Sequence, residues 1–299
     1  MNISIIIPTY NRLESVKKCL VSILKTDRND FEIIIVNDAS TDGTKEYLDN
    51  LKNPKIKIIH HTKNTGVSEA LNDGIKMSQS EILAFTEDDC EAQDNWLDNL
   101  VQNFTDEKIG FVFGPTYYVD PKYRGYFPER VVCSLNWPGG GNIAYRKKVF
   151  KIAGYFDTFF EKYHNEDTEM AMRATTYGFD YKYEPTAVCH HQKDRWQIKS
   201  LLNSAKIASV WPILKKTYPN HYLVFNANSK TPIRFGIFIS PKDYLYFFTL
   251  PIIIPLLLIR YLFHKKTDLK IFFAKWPGYL ILKRFYIYKE AIRNRIFML

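Results

Sequence analysis

The first 86 residues alternate between short apolar runs and helical patterns, and this alternation limits the possible folds more than any other feature. Runs that are apolar throughout are typical of strands buried on both faces, and strands joined by helices form a parallel sheet covered by those helices. Right-handed crossovers then give a nucleotide-binding type of half-domain. The predicted strands are 3–8, 33–36, 56–60 and 82–86, and the predicted helices are 12–25, one beginning near 41 or 42, and 66–77.

Beyond this half the pattern is less regular. Turn-rich segments occupy 114–128 and 136–142, and the clearest later elements are a helix at about 166–177, a strand at about 181–189 and helical patterns over 196–218. The expected fold class is therefore α/β, with a mostly parallel, Rossmann-like sheet flanked by helices.

Polar and acidic residues follow three of the predicted strands at their carboxyl ends. They are Pro8, Thr9, Tyr10 and Asn11 after the first strand, Asn37, Asp38 and Ser40 after the second, and Glu87, Asp88 and Asp89 after the fourth. Ligands of open α/β sheets bind outside the carboxyl ends of the strands. One acidic turn after a strand is usually a helix cap, but three that converge on one edge predict a binding site.

Seven segments of the chain resemble the family 2 glycosyltransferases, in the family's order, over about residues 3–191. They are SIIIPTYNR (4–12), FEIIIVNDASTDGT (31–44), NTGVSEALNDGI (64–75), EILAFTEDDC (81–90), GGGNIAYRKKVF (139–150), GYFD (154–157) and NEDTEMAMRA (165–174). The resemblance implies the GT-A fold. It also implies inverting transfer of a sugar from a nucleotide-diphosphate donor, of the UDP or dTDP type, to a hydroxyl. The expected acceptor is a lipid-linked glycan used in cell-surface polysaccharide or glycoconjugate synthesis.

The resemblance implies that the nucleotide lies against Pro8, Thr9, Tyr10 and Asn11, together with Asp38 and Asp88. Thr9 and Asp38 fall where the family holds the base, and Asp38 would accept the imide proton of uracil or thymine. The structural alternative for Asp38 is an Asx-type turn that caps the following helix.

Asp88 and Asp89 fall where the family binds ribose and metal. Adjacent carboxylates repel each other unless a cation neutralises them, and oxygen ligands beside a diphosphate select Mn²⁺ or Mg²⁺. Asp89 is the best single ligand, because Glu87 departs from the family's usual aspartate. Relatives place a histidine ligand near His190 and His191; strand alternation lets only one of them face the site, and His191 is favoured. The alternative is a packed or surface histidine.

Glu166 and Asp167 open a predicted helix, where the helix dipole favours negative charge, so capping alone would explain one acid. In the family the second acid of this pair is the catalytic base, which assigns that role to Asp167 and a supporting one to Glu166. A positioned carboxylate that removes a hydroxyl proton accelerates transfer by roughly 10²–10⁴-fold.

The glycine run 139–141 falls where the family shapes its acceptor and donor-sugar pocket, and glycines let the backbone approach a sugar closely. The resemblance therefore assigns Gly140, Gly141 and Asn142 to this pocket. Trp137 beside them either stacks on a sugar face or belongs to the core.

The last 59 residues carry most of the net charge of +9, because eleven lysines and arginines there face only three acids. They also contain a 16-residue run without charge, 244–259, which as a helix would be shorter than a bilayer core. A single crossing would leave the basic stretch outside, against the positive-inside tendency. We therefore expect a peripheral or monotopic anchor on anionic membranes at the cytoplasmic face. The alternative is a hydrophobic helix packed on the catalytic domain.

The expected domains are a catalytic domain over 1–240, with a nucleotide-sugar half at about 1–115 and an acceptor half at about 116–240, and a membrane-associating segment over 241–299. The four scattered cysteines and the absence of a signal-peptide pattern at the N-terminus predict a reduced, unexported protein, and no nucleic-acid partner is expected.

Two other functions compete with this prediction. A polyprenyl-phosphate sugar synthase needs no base, because its acceptor is already an anion, so the acids at 166 and 167 argue against it. A non-catalytic, membrane-attached sugar-binding protein would not need metal acids and a base together.

Overall fold

The computed structural model describes residues 2–118, 131–132, 138–192, 198–218, 252, 255–256, 259, 262–263 and 278–296. The strands are β1 (Ile3–Thr9), β2 (Phe31–Asn37), β3 (Ile56–His60), β4 (Ile82–Phe85), β5 (Cys90–Ala92), β6 (Ile109–Phe113), β7 (Thr116–Tyr118), β8 (Val131–Val132), β9 (Ile143–Arg146), β10 (Asp180–Tyr183) and β11 (Cys189–His191). The α-helices are α1 (Leu13–Ile23), α2 (Thr44–Asp49), α3 (Val67–Met77), α4 (Trp96–Val101), α5 (Lys147–Ala153), α6 (Glu166–Thr176), α7 (Ile198–Ile207), α8 (Trp211–Thr217) and α9 (Tyr279–Arg293).

A seven-stranded sheet in the order β10-β6-β9-β4-β1-β2-β3 organises the region that holds the predicted site. Strand β1 pairs in parallel with β2 and β4, and β2 pairs in parallel with β3. Strand β9 is antiparallel to both β4 and β6. The predicted mostly parallel α/β fold is therefore confirmed.

Apolar side chains on both faces explain why the strands lie at the centre. Ile5, Ile6 and Ile7 of β1 are fully buried, and so are the apolar residues of β2 and β4. Helix α1 packs Val16 and Leu20 into the same core. Each buried side chain of this size contributes about 1.5–3 kcal/mol of transfer free energy, so this sheet is a rigid base for the loops at its edge.

A second, four-stranded sheet in the order β5-β11-β7-β8 lies in the same part of the chain. Strand β11 pairs antiparallel with β5 and parallel with β7, which sets His191 opposite Cys90 in the register. This small sheet thus brings the predicted histidines to the residues that follow β4.

Three predicted elements differ from the structure, each for a local reason. The second helix was expected to begin near residue 41 or 42 but begins at Thr44. The reason is that the Asp42 carboxylate, just before this helix, accepts hydrogen bonds from the Thr44 amide and hydroxyl. The predicted strand 181–189 is two strands, β10 and β11. The turn between them contains Pro185, and the Glu184 side chain accepts a hydrogen bond from the amide of Thr186.

The helical region predicted at 196–218 contains two α-helices, α7 and α8, with the 3-10 turn Ala208–Val210 between them. Pro212 lies in the first turn of α8, where its missing amide proton costs nothing to that helix. The proline therefore marks a new helix start within the apolar pattern.

The chain divides into two compact units: residues 1–119, 130–161 and 166–193 form the first, and 120–129, 162–165 and 194–299 form the second. In the second unit α9 packs against α7, α8 and the turn between them, and buries Ile287 and Ala291. The predicted boundary at 240/241 lies outside the described residues and stays a prediction.

The predicted membrane segment is described only in part, since most of residues 244–259 lie outside the described ranges. Among the helices that the structure does describe, none combines the length and hydropathy needed to cross a bilayer.

Candidate active site

The loops after β1 and β2 are joined by short polar contacts. Asn11 adopts a left-handed backbone conformation with φ of 52°. Its side-chain oxygen accepts a hydrogen bond from the Thr41 amide at 2.7 Å, and its own amide donates to the Ser40 hydroxyl at 2.9 Å. Tyr10 remains about half exposed beside them, while Pro8 is half-buried at the strand end. The predicted nucleotide residues of the first strand therefore form one ordered edge.

Asp38 is buried and binds the segment that precedes α3. Its carboxylate accepts hydrogen bonds from the amides of Thr65 and Gly66, each at 2.8 Å, and lies 2.7 Å from His61 Nδ1. Burial acts to raise the pKa of Asp38, but these hydrogen bonds outweigh it and hold the pKa below its usual range. Asp38 thus does not cap α2, as the structural alternative supposed, and its contact with a base stays a prediction.

Asp88 follows β4 and turns toward β1. It accepts a hydrogen bond from the Thr9 hydroxyl at 2.8 Å and another from Arg12 Nη1 at 2.8 Å. Burial raises the pKa of Asp88, against the attraction of Arg12. The predicted pair Thr9 and Asp88 is therefore brought together by direct contact.

Four potential metal-ligating side chains meet beside Asp88. One atom from each of Glu87, Asp89, Cys90 and His191 lies within 4.8 Å of the others. His191 Nε2 is 3.2 Å from Glu87 Oε2 and 3.3 Å from Asp89 Oδ1. The structure thus includes Glu87, whose contact the sequence left open, and adds Cys90, which the sequence analysis did not consider.

His190 faces away from this cluster, as the alternation of a strand requires. Its ring lies 6.1 Å from the ring of Tyr117 on the neighbouring strand, and it is not among the four clustered residues. His191 is therefore the histidine that the register brings to the acids, and metal binding by either histidine stays a prediction.

Electrostatics make a cation favourable at this cluster. Burial raises the pKa of Asp89 to about 6. Burial acts in the same direction on Glu87, but His191 outweighs it and lowers the pKa of Glu87. Asp89 Oδ1 is buried and accepts no hydrogen bond from a described residue. A carboxylate oxygen of this kind, beside a second carboxylate and an imidazole, fits a divalent cation such as Mn²⁺ or Mg²⁺.

Glu166 and Asp167 form the first turn of α6. The Asp167 carboxylate accepts hydrogen bonds from the amides of Gly140 and Thr168, both at 2.6 Å. Burial raises the pKa of Asp167 to about 6, whereas burial and the Asp167 charge raise that of Glu166 well above its usual range. Each carboxyl group of this neighbouring pair therefore holds its proton more readily than an exposed one does.

The glycine run connects the two acidic groups. A Cβ atom placed on Gly140 would lie 3.5 Å from Asp167 Oδ2, and one on Gly141 would lie 3.1 Å from Cys90 Sγ and 3.6 Å from Glu87 Oε1. Gly140 thus lies next to Asp167 and Gly141 next to the metal cluster, so both acidic groups border the same glycine run. Trp137 lies outside the described residues.

Asn142 has a structural position that the sequence analysis did not predict. Its side chain is buried, accepts a hydrogen bond from Trp96 Nε1 at 2.7 Å and donates to the carbonyls of Pro115 and Ala187. Because every polar atom of the amide is used, the assignment of Asn142 to a sugar contact is corrected: it joins three segments below the pocket.

Comparison with known proteins gives the family. Residues 4–191, more than half of the chain, match the profile of glycosyl transferase family 2. The chain belongs to this family. It is 28% identical over 209 residues to a poly-beta-1,6-N-acetyl-D-glucosamine synthase of Staphylococcus epidermidis, covering 62% of this chain and 49% of the relative. It is 30% identical over 203 residues to glycosyltransferase AglE of Haloferax volcanii, covering 63% and 66%. The chain spans about half the length of several curated relatives that it matches.

Two solved structures share the fold of this family member. Mannosyltransferase PcManGT from Pyrobaculum calidifontis, in complex with GDP-Man and Mn²⁺, matches with a TM-score of 0.59 and 21% identity, covering 98% of this chain and 87% of that one. S. aureus TarS 1-349, in complex with UDP-GlcNAc, matches with a TM-score of 0.57 and 19% identity, covering 100% and 93%. The predicted GT-A fold is confirmed.

The structural position of Asn142 yields a prediction about stability. Asn142→Ala removes one hydrogen-bond partner from the buried Trp96 indole and from each of the Pro115 and Ala187 carbonyls, so the free energy of unfolding should fall by about 2–5 kcal/mol. Urea denaturation measures the change. Asn50→Ala, which removes an exposed asparagine at the end of α2, should change it by less than about 1 kcal/mol. Equal effects of the two substitutions would contradict a structural position for Asn142.

Proposed function

We propose that this chain is an inverting glycosyltransferase that depends on a divalent cation and moves a sugar from a nucleotide-diphosphate donor to a hydroxyl acceptor. One observation supports this most strongly: the acidic, histidine-containing cluster and the Asp167 carboxylate both border the same glycine run, at Gly141 and Gly140. Family membership supports the reaction class, and these two groups are candidates to serve the donor and the acceptor.

The cation would be held by Asp89, His191 and Glu87. When bound, it stabilises negative charge on the departing diphosphate. Thr9 and Asp88 would orient the ribose and base from the neighbouring strand end, and Asp38 would meet the base. Together these groups would hold the donor in one orientation.

Asp167 would remove the proton from the acceptor hydroxyl. The amides of Gly140 and Thr168 hold its carboxylate, and a pKa of about 6 leaves it ionised at neutral pH yet more basic than an exposed aspartate. Glu166 would support the position of Asp167 within the acceptor site.

The base also separates this function from the two competing ones. An acceptor that is already a phosphate anion needs no general base, whereas a hydroxyl does, so the environment of Asp167 favours a hydroxyl acceptor. A sugar-binding protein without catalysis would gain nothing from a carboxylate held at an elevated pKa, since burying it costs stability.

The donor base is proposed to be uracil or thymine, because Asp38 would accept an imide proton. UDP-GlcNAc in the TarS complex supports this choice, while GDP-Man in the PcManGT complex provides the alternative to be tested. We further propose that the enzyme acts at a membrane on a lipid-linked glycan, in polysaccharide or glycoconjugate synthesis. The synthase name of the Staphylococcus epidermidis relative is consistent with a polysaccharide product.

Exposed apolar side chains support the membrane proposal. In the described residues between 252 and 263, the exposed fraction is 68% for Ile252, 65% for Leu262 and 83% for Phe263. The sequence around them is basic, which suits an anionic leaflet. A peripheral or monotopic attachment at the cytoplasmic face would bring the active site to a lipid-linked acceptor.

The first test concerns the metal. Asp89→Asn removes a charged ligand, so the affinity for UDP in the presence of Mn²⁺ should fall at least about tenfold, as measured by titration calorimetry. Asp94→Asn, which changes an exposed aspartate just after β5, should leave the affinity unchanged. Unaltered binding by the Asp89 variant would place the metal elsewhere.

The second test separates binding from chemistry. Asp167→Asn keeps the size of the side chain but removes the base, so transfer should slow at least about 100-fold while UDP affinity is retained. Asp180→Asn, an exposed change in β10, serves as the control. A variant at position 167 that transfers sugar at the wild-type rate would exclude the assignment.

The pKa of Asp167 also sets an expected pH profile. The base acts only when deprotonated, so at saturating Mn²⁺ and donor kcat should be level above pH 7 and fall about tenfold per pH unit below about 6. The decline toward acid should be absent from the residual activity of Asp167→Asn. A profile that is flat from pH 5 to 8 in the wild-type enzyme would contradict a carboxylate base.

The membrane proposal is tested by flotation with liposomes of neutral and anionic lipid. Replacing Leu262 and Phe263 by aspartate should weaken attachment of the full chain to anionic liposomes at least about tenfold, whereas Ile152→Asp, an exposed apolar change in α5, should not. Both proteins should keep UDP affinity. Equal flotation of all three proteins would argue that these side chains do not contact the bilayer.

A further inference from the structure

The predicted site already contains one positive charge at the acids. Arg12 Nη1 lies 2.8 Å from Asp88 Oδ1 and 2.7 Å from Asp89 Oδ2. The Arg12 side chain is 49% exposed, while those of Asp88 and Asp89 are 4% and 12% exposed. A single guanidinium nitrogen therefore bridges two adjacent carboxylates from the solvent side.

The backbone on both sides of Arg12 is fixed by the loop after β2. Asn11 binds Ser40 and Thr41 through its amide and side chain, and the Leu13 amide donates to Asp42 Oδ2 at 3.0 Å. The chain is thus held one residue before and one residue after Arg12. The long side chain remains the movable part, and only its end group is engaged with the acids.

We propose that Arg12 is an internal counterion that competes with the divalent cation for Asp88 and Asp89, and so makes metal binding dependent on the nucleotide. This inference rests on the metal site of the proposed function. A dication at Asp89 Oδ1 and a guanidinium at Asp89 Oδ2 repel each other, so each of the two cations weakens the binding of the other to this carboxylate. The metal alone therefore binds weakly.

The nucleotide changes this balance for an electrostatic reason. A diphosphate adds negative charge and further oxygen ligands next to the metal, so it compensates the contact that Arg12 loses. The donor and the cation would then enter together, and the acids would not collect free metal between reactions. Arg12 is a positioning residue in this account, since it acts through the two carboxylates.

The experiment measures Mn²⁺ binding without any turnover, by the electron paramagnetic resonance signal of free Mn²⁺ in solutions of the full chain. Arg12→Gln should bind Mn²⁺ in the absence of nucleotide about tenfold more tightly than the wild type, the factor expected for loss of a charge-assisted contact. The extra affinity that UDP confers on Mn²⁺ should shrink by a similar factor. Mn²⁺ should also raise the melting temperature more in this variant than in the wild type.

Two further variants make the result specific. Arg12→Lys keeps the positive charge and should bind Mn²⁺ as weakly as the wild type. Arg28→Gln removes an arginine that also bridges two aspartates, Asp30 and Asp98, away from the site, and should leave Mn²⁺ affinity unchanged.

Mn²⁺ affinity of Arg12→Gln that equals or falls below the wild-type value would overturn the proposal, as would a lysine variant that binds as tightly as the glutamine one. The proposed function is judged separately. Wild-type protein that binds Mn²⁺ with UDP, and loses this binding in Asp89→Asn, retains its metal site even if Arg12 has no effect. Wild-type protein that binds no Mn²⁺ with UDP would reject the metal site and this inference together.

Discussion

The mutual repulsion of Glu87, Asp88 and Asp89 is the constraint on which the rest of the site depends. Three consecutive acids at the end of a buried strand cannot all be ionised without positive charge or hydrogen bonds around them. The structure supplies Thr9 at the end of β1, Arg12 from the loop that follows β1, and His191 from the second sheet. The acids thus join two segments of the chain that are far apart in the sequence.

The central sheet brings the acidic cluster and Asp167 to the same glycine run. Strands β4 and β9 are antiparallel neighbours, so the residues after β4 and those before β9 lie at one end of the sheet. The acids occupy the first position and the glycine run the second, and α6 places Asp167 next to Gly140. A side chain at Gly140 would meet Asp167, and one at Gly141 would meet Glu87 and Cys90.

The sequence predicted the half of the fold in which apolar runs repeat regularly, and β3 agrees with the predicted bounds residue for residue. It also predicted that the acids would share one edge, because strand ends in a parallel sheet must do so. What it could not predict depends on pairing between distant segments. The choice between His190 and His191 follows from the register of β11 against β5. That register cannot be predicted from two adjacent histidines in the sequence.

The side-chain contacts of the site also could not be predicted from the sequence pattern. Asn142 was predicted to lie in the pocket because it follows three glycines. Its side-chain amide instead forms hydrogen bonds with Trp96, Pro115 and Ala187. Arg12 and Cys90 stand within the matched segments, but nothing in their spacing indicates the carboxylates that they approach. The sequence feature that could have indicated the loop that binds Asp38 is Gly66, which follows Asn64 and Thr65.

The central claim is that the acids after β4 form a divalent-cation site for a nucleotide diphosphate. Crystals grown with Mn²⁺ and UDP, with diffraction measured at the manganese absorption edge, test it most directly. We expect one anomalous peak in contact with Asp89 and His191, with a diphosphate oxygen on the same ion. A peak at any other group of acids, or UDP bound with no manganese at Asp89, would contradict this claim.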